Sequence, residues 1–238
     1  MRPLDSEVTS WLSICGVEFL PFKVMDRRQF SKAAIASAVA APHALYAQER
    51  PVEGKQYAKV SPRQPTRDAN QIEVVEFFAY SCEHCFLFEP VLEAWHKRLP
   101  AGVTLRRVPV AFREVPFAMH QKLFFAIEQL GLVERLHGKV FTAIHMGKQR
   151  LDKPEGIAEF ATKNGVEPAR LLDAVNSFAV ANKAKQANTL ASGYKIEGTP
   201  SMGVDGRWLT SGSMTGSNER SLAVVDFLIG EARRVGKA

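Results

Sequence analysis

Two cysteines stand one helical turn apart in the run Ser81-Cys82-Glu83-His84-Cys85. At that spacing on a helix the second thiol comes within reach of a disulfide with the first. A reversible disulfide there exchanges electrons with other thiols, because a thiolate attacks a disulfide sulfur and displaces the other one. Two further readings compete. Cys82, His84 and Cys85 could ligate a metal, but a structural zinc needs a fourth ligand, and no second cysteine pair exists. A purely structural disulfide is the other, although closing so small a loop removes little chain entropy.

The elements around the pair assign roles to the two thiols. Residues 72–80 (Ile-Glu-Val-Val-Glu-Phe-Phe-Ala-Tyr) are β-branched and aromatic, which reads as a strand. Apolar side chains fall on both of its faces, as in a central strand covered by helices on each side. After the cysteines, Leu87, Val91, Leu92 and Trp95 recur at helical spacing, with a kink expected at Pro90. Cys82 therefore opens a helix. Unpaired backbone N–H groups and the positive end of the helix dipole stabilise an anion there, so its pKa is expected to fall. Cys82 is the expected nucleophile and Cys85, shielded one turn along, its resolving partner. His84, when protonated, adds to the stabilisation of the Cys82 thiolate. Glu76 sits in the strand among apolar neighbours, where burial raises a carboxyl pKa unless the group is paired; the competing reading is a strand-end Glu reaching solvent.

Downstream, residues 103–110 read as a second strand. Residues 116–190 turn helical, with apolar clusters at Leu123-Phe124-Ile127, Leu132-Leu136, Phe141-Ile144, Ile157-Phe160-Ala161 and Leu171-Leu172-Val175. Asn164-Gly165 marks a helix end and Pro168 a helix start. Residues 201–204 and 207–210 flank Asp205-Gly206, a dipeptide suited to a type I′ hairpin turn. A final helix is expected over 220–234. Thr199-Pro200 leads into the hairpin, where a residue without an N–H marks an edge or a special turn. His96, His120, His137 and His145 lack ligand spacing and read as surface or helix-packing residues. Residues 48–70 read as a polar arm.

The order strand, Cys-x-x-Cys, helix resembles the thioredoxin superfamily, and the detail resembles the DsbA family of periplasmic disulfide oxidases. The matching pieces are Gly54-Lys55-Gln56-Tyr57, Val75-Glu76-Phe77-Phe78, His84 inside the site, and Gly198-Thr199-Pro200. The resemblance implies an α/β thioredoxin fold with an inserted helical domain. Its thioredoxin parts fall at 48–115 and 191–238, and the insertion at 116–190. It further implies a cis peptide at Thr199-Pro200, holding the Thr199 backbone near Cys82 and open to an extended substrate strand, and a buried acid at Glu76 that exchanges protons with Cys85. The implied activity is donation of the Cys82–Cys85 disulfide to reduced exported proteins, by a monomer without a cofactor. Reoxidation by a DsbB-like membrane quinone reductase follows from the same resemblance. One residue departs from it: Glu83 stands where the family commonly has proline, and its charge is expected to raise the Cys82 pKa. A reductase or isomerase working from the dithiol state is the rival within this chemistry. A peptide-binding, chaperone-like module with an incidental disulfide is the rival outside it.

Composition is that of an ordinary globular protein rather than a disordered one. The chain is 46% hydrophobic and 24% charged, and no apolar run reaches bilayer-spanning length. Its 31 Lys+Arg against 25 Asp+Glu give +6, but the cations are scattered rather than gathered into a stripe, so nucleic acid is not an expected partner. Residues 25–47 read as an export signal: Asp26-Arg27-Arg28-Gln29-Phe30, an Ala-rich run, then Leu45-Tyr46-Ala47 before Gln48. Arg27-Arg28 resembles the twin-arginine motif, with the general secretory route equally open. Residues 1–24 form an upstream extension that is not translated if synthesis starts at Met25. Cleavage after Ala47 removes Cys15 and leaves Cys82 and Cys85, the arithmetic of a protein destined for an oxidising compartment.

Overall fold

The structure, a computed structural model, describes residues 50–236. The upstream extension 1–24 and the export signal 25–47 lie outside the described residues. β2 (Ile72–Phe78) is buried from Glu73 onward, as its two apolar faces require. It pairs in parallel with β3 (Val103–Pro109) and antiparallel with β4 (Ser201–Val204), which pairs antiparallel with β5 (Trp208–Ser211). A two-residue edge strand, β1 (Ala58–Lys59), completes the spatial order β1-β5-β4-β2-β3.

That edge strand corrects the reading of 48–70 as a plain arm. The segment is pinned to the hairpin: Val60 N–H donates to the Arg207 carbonyl at 2.7 Å and Gln64 N–H to the Gly206 carbonyl at 2.8 Å. Arg63 reaches the Asp205 carboxylate at 2.9 Å. Asp205 and Gly206 both take positive φ, 52° and 68°, as a type I′ turn demands. A side chain at Gly206 would meet the Gln64 carbonyl oxygen at 2.0 Å, so the position serves both turn and docking. Val204 pairs with Trp208, so Arg207 belongs to the loop and the second strand starts one residue later than expected.

Two layers of helix cover the sheet. α1 (Glu83–His96) and α8 (Asn218–Val235) lie on one face; their Phe88, Leu92, Trp95, Val225 and Leu228 pack with Val74 and Met202. Between β3 and β4 the chain runs through α2 (Met119–Gln129), α3 (Val133–His145), α4 (Pro154–Lys163), α5 (Pro168–Asn176) and α6 (Phe178–Gly193). These cover the other face, where Phe77, Phe78, Phe124, Phe141 and Phe160 share one core with Val75. Burying each such ring contributes about 1.5–3 kcal/mol. Side-chain caps start three helices: Glu167 accepts from Ala169 and Arg170 N–H, Ser177 from Val180 and Ser217 from Arg220. A four-residue α7 (Gly212–Thr215), not foreseen from the sequence, follows β5.

α1 runs unbroken through Pro90 and buries Cys85, Phe88, Glu89, Leu92 and Trp95. Leu92 and Trp95 are buried as the helical spacing predicts and Val91 packs against the same core, but Phe88 takes the inward place expected of Leu87, because the face that hides Cys85 is the one turned inward. Leu87 is left 63% exposed. Among the described residues, no helix is long and apolar enough to cross a membrane.

Candidate active site

Cys82 is the N-cap of α1, with extended φ −86° and ψ 117°. Its N–H closes a tight turn on the Ala79 carbonyl at 3.0 Å, and its own carbonyl receives the first helical bond from Phe86 N–H at 3.1 Å. Strand β2 delivers the turn and α1 leaves it, so the sulfur sits where orphan helix N–H groups converge. The Thr199–Pro200 peptide is cis, and the Thr199 carbonyl oxygen lies 3.2 Å from Cys82 Sγ.

Both cysteines are free thiols, and their surroundings separate them. A hydrogen bond from the Cys85 thiol, helped by the Thr199 side chain and by the backbone N–H groups of Cys85 and His84, lowers Cys82 to about 5 against the opposing cost of burial. Cys85 has no exposed surface. Burial, its bond to Cys82 and the nearby Cys82 charge push it well above the ordinary thiol range. One sulfur is therefore an accessible thiolate and leaving group, the other a covered thiol.

Below the pair lies a buried charge network. Glu76, in register with Arg107 on the neighbouring strand, is 0% exposed. Arg107 Nε lies 3.5 Å from Glu76, while Nη2 reaches Glu89 at 3.2 Å and also bonds Glu93. One guanidinium cannot neutralise three carboxylates, and neither Glu76 oxygen has a hydrogen-bond partner. Burial foremost, then the Glu89 charge, pushes Glu76 up to about 8, so the deepest acid holds its proton at neutral pH despite its arginine neighbour. Glu89 goes the other way: burial opposes its charge, but His137 and Arg107 hold its carboxyl below the usual range. His137 sits 3.4 Å from Glu89 through Nε2, and its Nδ1 lies 2.8 Å from the Tyr80 hydroxyl.

Beside Cys82 a groove of about 700 Å³ is lined by His84, Leu87, Thr199, Pro200, Leu209 and Met214. Its lining includes both the cis-proline turn and hairpin strand β5, together with the exposed Leu87.

Residues 118–220 match the family model described as a DSBA-like thioredoxin domain. The thiol:disulfide interchange protein DsbA of Burkholderia cepacia is 39% identical over 180 residues, covering 75% of this chain and 84% of that protein. DsbA of Pseudomonas aeruginosa is 35% identical over 184 residues, 77% of this chain and 87% of the relative. The crystal structure of Pseudomonas aeruginosa DsbA superposes with a TM-score of 0.75 at 34% identity, covering 79% of this chain and 97% of that one.

The chain belongs to the DsbA family.

Its fold is accordingly the thioredoxin fold with an inserted helical domain, as DsbA structures have. Cys82, Cys85, Thr199 and Pro200 come together in one place, with Glu76 beneath them. Glu83 and His84 are exposed on the first turn of α1, and His84 acts on Cys82 through its backbone N–H. Among the described residues no three His, Cys, Asp or Glu group as metal ligands. From the sequence, Arg107, Glu89 and Tyr80 had no part in the site, and His137 and His145 none beyond packing. Two of the histidines read as packing residues bond to Tyr80, which immediately precedes the Ser81-Cys82 turn.

Proposed function

We propose that the chain is a thiol:disulfide oxidase that passes the Cys82–Cys85 disulfide to reduced exported proteins. The supporting observation is the asymmetry of the pair: Cys82 half-buried at the helix N-cap, next to His84 and Thr199 of the groove lining, and Cys85 wholly covered one turn along. A substrate thiolate attacks Cys82 Sγ, forming a mixed disulfide; the Cys82–Cys85 bond breaks and its electron pair passes to Cys85 sulfur. Cys85, whose thiol form is strongly favoured, takes up a proton, and Glu76 is the group below it that holds one. A second substrate thiolate attacks the substrate sulfur and expels Cys82 as a thiolate. The low Cys82 pKa makes it a good leaving group, so the exchange runs toward oxidised substrate and dithiol enzyme.

In this reading Thr199 and Pro200 present backbone to an extended substrate segment, and the groove receives its apolar side chains. Glu83 and His84 tune the Cys82 thiolate. Residues 116–190 form the inserted cap and 48–115 with 191–238 the thioredoxin body. The protein works as a monomer in the periplasm, delivered by the 25–47 signal, and a DsbB-like membrane reoxidant restores its disulfide without a bound cofactor. Equilibration of the mature protein with glutathione tests the assignment. A strongly oxidising Cys82/Cys85 couple supports the donor role, and a thioredoxin-like potential recasts the chain as a reductase.

A further inference from the structure

His145, the last residue of α3, belongs to the inserted helices yet touches the backbone that presents Cys82. Its Nε2 lies 2.8 Å from the Tyr80 carbonyl oxygen. A carbonyl only accepts, so Nε2 carries the proton and the tautomer is set. The same ring stacks on Phe86, with centroids 4.9 Å apart and planes inclined by 3°. Tyr80 is an inner residue of the turn that Cys82 N–H closes on Ala79, and Phe86 N–H bonds the Cys82 carbonyl. One side chain thus bonds the main chain just before the cysteine pair and stacks on the side chain just after it.

We propose that His145 is a positioning residue for thiol–disulfide exchange, clamping the Tyr80–Ser81 peptide so that Cys82 keeps its place at the helix N-terminus. The proposal rests on Cys82 being the exchanging thiol. The Cys82 thiolate is stabilised by the Cys85 thiol, by the Thr199 side chain and by backbone N–H groups of Cys85 and His84, with Cys82 in the extended N-cap conformation. In the oxidised protein the Cys82–Cys85 bond itself restrains that residue. In the reduced protein only non-covalent contacts do, and the His145 donor is the one that fixes the peptide plane between Tyr80 and Ser81. The clamp therefore contributes more to the reduced form than to the oxidised form. Losing it raises the Cys82 pKa and makes the disulfide a weaker oxidant.

Three substitutions separate the parts of the contact. His145→Ala removes donor and stacking surface, His145→Phe keeps the surface and removes the donor, and His145→Gln keeps an N–H donor. The glutathione equilibrium constant and the thiolate absorbance titration of each full-length mature variant are compared with the parent, alongside urea midpoints of both redox forms. His145→Ala and His145→Phe are expected to move the equilibrium toward the disulfide by roughly three- to tenfold, the span of one net hydrogen bond, and His145→Gln by less than about twofold. Reduced His145→Ala is expected to lose more stability than the oxidised variant. If all three leave the equilibrium and the Cys82 titration unchanged while the urea midpoints fall, His145 is only a packing residue and the proposal is wrong. An equal shift in His145→Gln and His145→Ala overturns the donor role. A parent protein that forms no disulfide with glutathione removes the exchange assignment itself, before any variant is compared.

Discussion

Arg107 reaches Glu89 at 3.2 Å while its Nε stands 3.5 Å from Glu76, so one cation serves the two deepest carboxylates under the active site. Its side chain is 8% exposed, and no other cation is paired with Glu76 among the described residues. Arg107→Met removes that cation and leaves Glu89 with His137 alone. The expected cost is about 3–5 kcal/mol of unfolding free energy, the scale for an orphaned buried charge. Urea denaturation of parent and variant at pH 7 measures it, and a loss below about 1 kcal/mol would show the network to be solvated.

Glu76 gives the fold a pH dependence of definite sign. Its carboxyl is raised from 4.5 to about 8 in the folded protein, so the native state holds a proton that the unfolded chain has released. The associated stability is complete below about pH 4.5 and disappears as pH rises through about 8. Glu76→Gln stays neutral throughout. Its urea midpoint should match the parent near pH 4.5 and exceed it progressively up to pH 9, by an amount of order a few kcal/mol at about 1.4 kcal/mol per pKa unit. Parallel pH profiles for the two proteins would falsify the assignment.

Cys82 acts in the opposite direction and only in the reduced form. Its pKa falls from 9.0 to about 5, so it stabilises the folded dithiol fully above pH 9 and progressively less as pH drops through 5. The disulfide form has no such ionisation. The stability of the reduced protein relative to the oxidised one should therefore decline between pH 9 and pH 5. Melting temperatures of both forms across that range provide the check; a constant difference means that the thiolate is not specially stabilised.

Glu83 is the first residue of α1, a position that accepts proline readily. Glu83→Pro removes an exposed negative charge beside the thiolate and should lower the Cys82 pKa by about half a unit, the scale of an exposed charge contact. Absorbance titration of the thiolate gives the answer, with the glutathione equilibrium moving toward the dithiol in step. A pKa that stays level or rises means that Glu83 does not tune the site.

The strand, the cysteine pair and the helix that follows were legible in the residues because their signals are local. A β-branched run, a Cys-x-x-Cys and a helical repeat are contiguous, and α4 ends and α5 begins where Asn164-Gly165 and Pro168 said they should. The network under the cysteine pair was not, because it depends on register. Glu76 and Arg107 are opposite each other only through the parallel pairing of β2 with β3, which no nearby turn specifies. Glu89 did leave a trace: it lies four residues beyond Cys85, on the face that the buried thiol defines. Edge strand β1 is too short to show a period, and its partner β5 is supplied from the far end of the chain. His145 and His137 lack any motif because what they bind is Tyr80, a tertiary neighbour.

Cys82 and Thr199, 3.2 Å apart in space, are separated by 117 positions in the chain. At about 5–20 residues per second, a ribosome needs roughly 6–23 s to travel from one to the other. Throughout that interval the nascent polypeptide carries both cysteines without Thr199, which meets Cys82, or the hairpin that pairs with the strand before them. The birth of the enzyme is dated by its last strands rather than by its thiols, and until they arrive Cys82 and Cys85 are themselves two unprotected cysteines of an unfinished protein.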